Sequence, residues 1–265
     1  MRHHILQELN FTVREAGDEL HGTAEVTPYM HAPGTAHLRT SILASWADML
    51  SGLLAAQVMG PRVPVTLELD VHLYRPAPAA GTIWAAGRAV KKGRSVFVGS
   101  VEFSTASGEP VGFSASSFMA APDTTLRMPS VTSLDGISAA PALAVPLADR
   151  AGCKRQEPGV AVLPRSEDGL NSSNTVNGGL IALAIEEALL SLAPGTTLCS
   201  LALRYMQPVR VGPAVATATL TAGLGQAELR DAGNGNRLSV TATARTFSHR
   251  GPAMGGGPAP PARSA

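Results

Sequence analysis

The chain has 265 residues, of which 45% are hydrophobic and 15% are charged, and its formal net charge is +1. This composition predicts a packed core in one large or two ordinary domains and argues against disorder. The near-neutral charge and the 4% aromatic content indicate no binding surface for nucleic acid or for an anionic membrane. The two cysteines form neither a metal-ligand spacing nor a disulfide framework, and the first residues lack the apolar run of a signal peptide. We therefore expect a cytoplasmic protein.

The first half of the chain predicts two strands, one long helix and four further strands. The opening strands are expected over residues 6–14 and 22–27. The helix is expected over residues 40–59, where apolar side chains recur at helical spacing and Asp48 is the sole charge. A period-two alternation over 65–73 predicts the next strand, and turn residues separate the others, at 82–90, 95–104 and 110–119. A long helix laid on an antiparallel sheet belongs to the α+β class.

The second half of the chain repeats this order. Strands are expected over 153–163, 198–206, 214–221, 226–230 and 237–246, with a helix over 178–192. Pro76 and Pro208 lie 132 positions apart, and Asp48 and Glu186 lie 138 apart, which indicates an internal duplication. We predict one domain over 1–120, a proline-rich linker over 121–150, a second domain over 151–249 and a disordered tail over 250–265.

Each predicted helix carries acid within an apolar segment, where an unpaired carboxylate is costly to bury. Seven residues separate Gly179 from Glu186, so the two share a helix face about 10 Å apart along the axis. Ser41 and Asp48 stand in the same relation. The amino-terminal end of a helix offers free N–H groups and a positive dipole, and glycine there permits close approach of a ligand. Each helix thus combines an anion-binding end with a carboxylate that could act as a general base.

The second helix also resembles a known motif. In hot-dog-fold acyl-CoA thioesterases of the phenylacetate and 4-hydroxybenzoyl type, an Asn is followed six residues later by His-Gly-Gly. An acid lies nine residues beyond the His. Asn171, the Gly178-Gly179 pair and Glu186 match this motif, whereas Asn177 stands at the His position.

The first half matches the same motif in part. Asp48 keeps the acid, Arg39, Thr40 and Ser41 align with His-Gly-Gly, and Pro33 stands at the Asn position. The strands over 65–103 resemble the sheet of the same group. The resemblance implies two hot-dog domains in tandem, each a long helix wrapped by an antiparallel sheet, paired as a pseudo-dimer.

The resemblance implies an acyl-CoA thioesterase of lipid metabolism, which hydrolyses a thioester to a carboxylic acid and CoA. In related enzymes one helix start works with an acid from the facing helix. We therefore expect two clefts, one pairing Gly179 with Asp48 and the other pairing Ser41 with Glu186. Asn171 would hold the water or the carbonyl oxygen. The residues expected to contact the substrate are Ser41, Gly178, Asn177, Arg39 and Arg94.

Other interpretations remain open at this level. Asn171 could be a plain turn residue, Arg39 an exposed residue at a helix start, and Glu187 part of a solvated face. A non-catalytic acyl-CoA binder fits the missing His, whereas a hot-dog hydratase would need a His about five residues after the acid. No cofactor is expected apart from the CoA of the substrate, and the histidines have no metal spacing. We expect a homo-oligomer with no nucleic-acid or membrane partner.

Overall fold

The computed structural model describes residues 3–93, 95–128 and 141–247 of the chain. Three sequence-based expectations fall wholly or partly outside these residues. They are the substrate contact of Arg94, the middle of the linker at 129–140 and the tail at 250–265. The described end of the expected linker contains a short helix, α2 (Leu147–Ala151), which lies against the helix of the second half.

The long helices and most strands lie where the sequence predicts them. In the described residues, the long helices are α1 (Thr40–Met59) and α3 (Gly178–Ser191). The strands of the first half are β1 (Thr12–Ala16), β2 (Glu19–Val26), β3 (Pro64–Leu73), β4 (Gly81–Lys92), β5 (Val96–Thr105) and β6 (Pro110–Ala120). Those of the second half are β7 (Lys154–Glu157), β8 (Val160–Leu163), β9 (Leu198–Tyr205), β10 (Ala214–Thr221), β11 (Leu224–Asp231) and β12 (Arg237–Thr246).

The first predicted strand is wrong at its start. Residues Ile5–Leu9 form a 3₁₀ helix, and β1 begins only at Thr12. The His4 side chain accepts a hydrogen bond from the Leu6 N–H, and the Gln7 side chain accepts one from the His4 N–H, so the turn is capped at its start. Ile5, Leu6 and Leu9 are all buried in the core, whereas the adjacent Ile5 and Leu6 would point to opposite faces of a strand.

All twelve strands form one continuous antiparallel sheet in the order β1-β2-β4-β5-β6-β3-β9-β12-β11-β10-β8-β7. The order is the same in both halves when read outward from the central β3–β9 pair. There Glu68 pairs with Arg204 and His72 pairs with Ser200. Ser200 lies 132 positions after Glu68, and Arg204 lies 132 positions after His72. The duplication therefore relates one of these pairs to the other. The central register is therefore symmetric at the offset that separates the two prolines.

Both long helices lie on one face of this sheet and contact each other. Although α1 is long and apolar enough by composition to span a membrane, its residues Leu43, Trp46 and Leu50 are fully buried in the core. Gly99 on β5 allows close contact, because a Cβ there would lie 2.8 Å from the Ser51 Oγ of α1. Long helices on a large antiparallel sheet confirm the α+β class, whereas the division into two domains stays a prediction.

Candidate functional site

The two long helices bring the predicted site residues together because they cross in opposite directions. Ser41 of α1 contacts Glu186 of α3, and Ser45, one turn later, packs against Gly179. The two helices are antiparallel, so later residues of α1 contact earlier residues of α3. Asp48 lies one turn beyond Ser45, so it lies beside the start of α3. Each helix start therefore faces the acid of the other helix.

The end formed by Glu186 is closed. Its Oε1 accepts hydrogen bonds from the backbone N–H groups of Thr40 at 2.9 Å and Ser41 at 3.3 Å. Its Oε2 accepts from the Ser41 hydroxyl at 2.6 Å and from Arg39 Nη1 at 3.3 Å. Glu186 is fully buried. Four donors satisfy this carboxylate, so it caps α1 and does not face a substrate. This corrects the expected catalytic role of Glu186 and the expected substrate contact of Ser41.

Arg39 is buried in an ion-pair network rather than exposed or free for substrate. Its Nη2 lies 2.6 Å from Glu187 Oε1, and Arg155 Nε donates to Glu187 Oε2 at 2.6 Å. Burial by itself would lower the pKa of Arg39, but the charges of Glu186 and Glu187 outweigh it and raise that pKa. The Arg39 guanidinium balances the charges of the two buried carboxylates, Glu186 and Glu187. The expectations of an exposed Arg39 and a solvated Glu187 are both corrected.

The end formed by Asp48 differs in its electrostatics. Asp48 is partly exposed, and its Oδ1 accepts a hydrogen bond from the Thr66 hydroxyl at 2.8 Å. Burial raises the pKa of Asp48 to about 6, and the Thr66 hydrogen bond opposes this increase. Among the described residues, no cation lies within salt-bridge distance of Asp48. Such a carboxylate is suited to accept a proton near neutral pH.

The start of α3 faces Asp48 with one free donor. The Asn177 side chain caps the helix, and its Oδ1 accepts from the Gly179 N–H at 2.8 Å. A Cβ on Gly179 would lie 2.2 Å from the Ser45 Oγ, so helix packing occupies the space above this glycine. Gly179 is therefore corrected from oxyanion donor to packing residue. The Gly178 N–H has no acceptor among the described residues, so the free donor belongs to Gly178.

Tyr205, at the end of β9, completes this end of the site. Its hydroxyl donates to the Gly178 carbonyl at 3.1 Å, and a Cβ on Gly178 would come within 3.3 Å of it. Burial raises the pKa of Tyr205 well above its ordinary value, and the charge of Asp48 raises it further. Sequence reasoning missed Tyr205 and Thr66, since neither falls in a helix motif.

Asn171 organises the loop that leads into α3. Its Oδ1 accepts from the Ser173 N–H at 2.9 Å, the Thr175 N–H at 3.2 Å and the Thr175 hydroxyl at 3.1 Å. The Asn171 side-chain oxygen is thus used by the loop, which favours the turn interpretation. The expected contact of Asn171 with water or with the carbonyl oxygen stays a prediction. Burial also raises the pKa of the Cys153 thiol to about 12, which disfavours the nucleophilic thiolate at neutral pH.

Comparison with known proteins identifies the fold. Residues 37–111 match the thioesterase superfamily. The 12:0-ACP thioesterase from Umbellularia californica aligns with 88% of this chain and 99% of its own, with a TM-score of 0.64 at 13% identity. An acyl-ACP thioesterase from Bacteroides thetaiotaomicron aligns with 91% and 99%, with a TM-score of 0.61 at 12% identity.

A tesB protein of Mycobacterium avium subs paratuberculosis aligns with 92% of this chain and 97% of its own, with a TM-score of 0.58 at 14% identity. No curated protein matches the sequence. At these identities the structural likeness concerns the fold alone. The predicted resemblance to hot-dog thioesterases is confirmed, and the superfamily match supports the expected class of enzyme, a thioester hydrolase.

Proposed function

We propose that this chain, which has the hot-dog fold and matches the thioesterase superfamily over residues 37–111, hydrolyses an acyl thioester at Asp48. One observation carries the proposal. Of the acids on the two long helices, Asp48 alone has no ionic partner among the described residues. The pairing of Ser41 with Glu186 and of Ser45 with Gly179 puts Asp48 at the end of α3 where the Gly178 N–H is free. An acyl-CoA substrate, contact of Arg94 with CoA, a homo-oligomer and a cytoplasmic role in lipid metabolism are parts of this proposal.

The difference of one methylene group between glutamate and aspartate explains why one cleft is closed. Glu186 reaches the N–H groups that start α1, where its carboxylate occupies the position of an oxyanion. Asp48 is shorter by one carbon–carbon bond, about 1.5 Å. It bonds to Thr66 instead, and the Gly178 N–H stays free. The thioester carbonyl and a water molecule would bind between Asp48 and the Gly178 N–H.

The chemistry follows from these two groups. The Gly178 N–H and the dipole of α3 would polarise the thioester carbonyl. Ionised Asp48 would take a proton from water as the water oxygen attacks the carbonyl carbon, and would return it to the departing sulfur as the C–S bond breaks. Direct attack by Asp48 to form a mixed anhydride uses the same groups.

We also infer that the halves 1–120 and 151–249 are two hot-dog units joined edge to edge. The repeated strand order and the symmetric register at the β3–β9 pair support this division. The helix caps support it as well, because Arg39 and Asn177, 138 positions apart, share the backbone angles φ −62° and ψ 139°. The site would thus combine an acid from one unit with the helix start of the other.

The test is thiol release from a panel of acyl-CoAs by the purified protein and two variants. We expect Asp48→Asn to abolish release and Glu186→Gln to retain it in the folded fraction. If only Glu186→Gln lost thiol release, the reaction would be assigned to the cleft formed by Ser41 and Glu186. Saturable binding without thiol release would indicate an acyl-CoA binder, and hydration of crotonyl-CoA a hydratase; either result would refute the proposed hydrolysis.

A further inference from the structure

The start of α3 provides only one of the donors that a tetrahedral oxyanion requires. Asn177 already accepts the Gly179 N–H, which leaves the Gly178 N–H at the helix start. A developing oxyanion is stabilised by two or more donors in the well-known arrangements. A side chain close to Gly178 is well placed to supply a second donor.

Tyr205 places a hydroxyl beside the residue that carries the free N–H. Its oxygen lies 3.1 Å from the Gly178 carbonyl oxygen and would lie 3.3 Å from a Gly178 Cβ, so it contacts the same residue that carries the free N–H. Gly178 is the first residue of α3, so its carbonyl oxygen can also accept a hydrogen bond from a backbone N–H one turn later in the helix. The carbonyl oxygen therefore keeps a hydrogen bond when the Tyr205 hydroxyl turns to another acceptor.

The phenol is also maintained as a donor. Burial and the charge of Asp48 both raise the pKa of Tyr205, so the hydroxyl stays protonated at the pH values where Asp48 is ionised. The closed end lacks this group, because Leu73 stands 132 positions before Tyr205 in the matching strand.

We propose that Tyr205 is a catalytic residue. Its hydroxyl donates a hydrogen bond to the oxyanion that forms from the thioester, and the Gly178 N–H donates a second one. This inference rests on the proposed hydrolysis and adds a group that binds the transition state. The donor should contribute to the rate and not to ground-state binding.

The test compares Tyr205→Phe with wild type, using Tyr74→Phe as the matched control. Tyr74 is a largely exposed tyrosine that packs near Phe113, away from α3. We expect Tyr205→Phe to lower kcat about 100- to 1000-fold with little change in KM. The inhibition constant of a trifluoromethyl ketone analogue of the substrate should rise in proportion. Binding of a non-hydrolysable thioether analogue and the melting temperature should stay close to wild type.

Each outcome decides between the proposals. Wild type without thiol release would refute hydrolysis and this role together. An active wild type with an equally active Tyr205→Phe variant would refute the role of Tyr205 alone. Parallel losses in thioether binding and in ketone binding would also refute it, since they indicate a positional effect. If the Phe variant is poorly folded, Tyr205→His retains a ring N–H, and failure to exceed the Phe variant in kcat would count against the proposal.

Discussion

Asp48→Asn tests whether the proposed base reduces stability while it enables catalysis. The folded protein holds the pKa of Asp48 at about 6, against an ordinary value of 3.8. Between these two values the folded state keeps a proton that the unfolded chain has lost. The free energy of unfolding therefore falls as pH rises from about 4 to 6, and it does not recover at higher pH. Asparagine retains an acceptor for Thr66 without this penalty.

The size of the effect follows from the difference between the two pKa values. About two pH units at 1.36 kcal/mol each give an upper bound of about 3 kcal/mol. Asp48 is partly exposed, so solvent screening reduces the effect to about 1–2 kcal/mol. We therefore expect Asp48→Asn to be more stable than wild type by this amount at pH 8 and equal to it below pH 4. Thiol release should fall at least about 100-fold, the contribution of a general base.

Urea denaturation at pH 4, 6 and 8, followed by far-UV circular dichroism, measures the stability of wild type and variant. Asp18→Asn, at an exposed turn, is the control and should show no such pH-dependent gain. A destabilised Asp48→Asn variant would refute the reasoning. A gain of the same size at pH 4 and pH 8 would also refute it, because the penalty then would not come from ionisation.

Three further changes test the surrounding contacts. Thr66→Val removes the hydrogen bond that lowers the pKa of Asp48, so the acid limb of the kcat/KM profile should move from about pH 6 to higher pH. A limb that moves down would contradict this. Glu186→Gln leaves Arg39 without one buried partner and should cost about 3–5 kcal/mol in urea denaturation, whereas a neutral result would show that the cap is dispensable. Gly179→Ala should cost about 1–3 kcal/mol through overpacking, and Ser45→Gly in the same chain should recover part of it; strict additivity in the double-mutant cycle would exclude the contact.

The strands were predictable from periodicity, but the direction of Thr66 was not. A strict alternation in β3 places Thr66 on the face opposite to Leu69 and Val71. The register between β3 and β6 shifts between Thr66 and Glu68, which inserts one extra residue and turns Thr66 toward α1. Composition gives no sign of this bulge. The hydrogen bond to Asp48 could therefore be found only in three dimensions.

The spacing of the helix motif correctly located the two acids and the two helix starts, but not which end is closed. That depends on Arg39, whose partner Glu186 lies 147 positions away. Arginine side chains are mostly exposed in folded proteins, and the packing of α1 against α3 encloses this one. Long-range ion pairs leave no local pattern, so the asymmetry of the two ends required the structure.

The β3–β9 seam has a mechanical consequence. Five residue pairs join the halves along this ladder, and Arg204 bonds across it to Asp70. A hinge between the halves would have to break these bonds, so the two halves should move as one body. Separating the halves by cleavage would expose two bare strand edges, which pair readily with other chains. The pieces should therefore reassociate or aggregate rather than persist as free units.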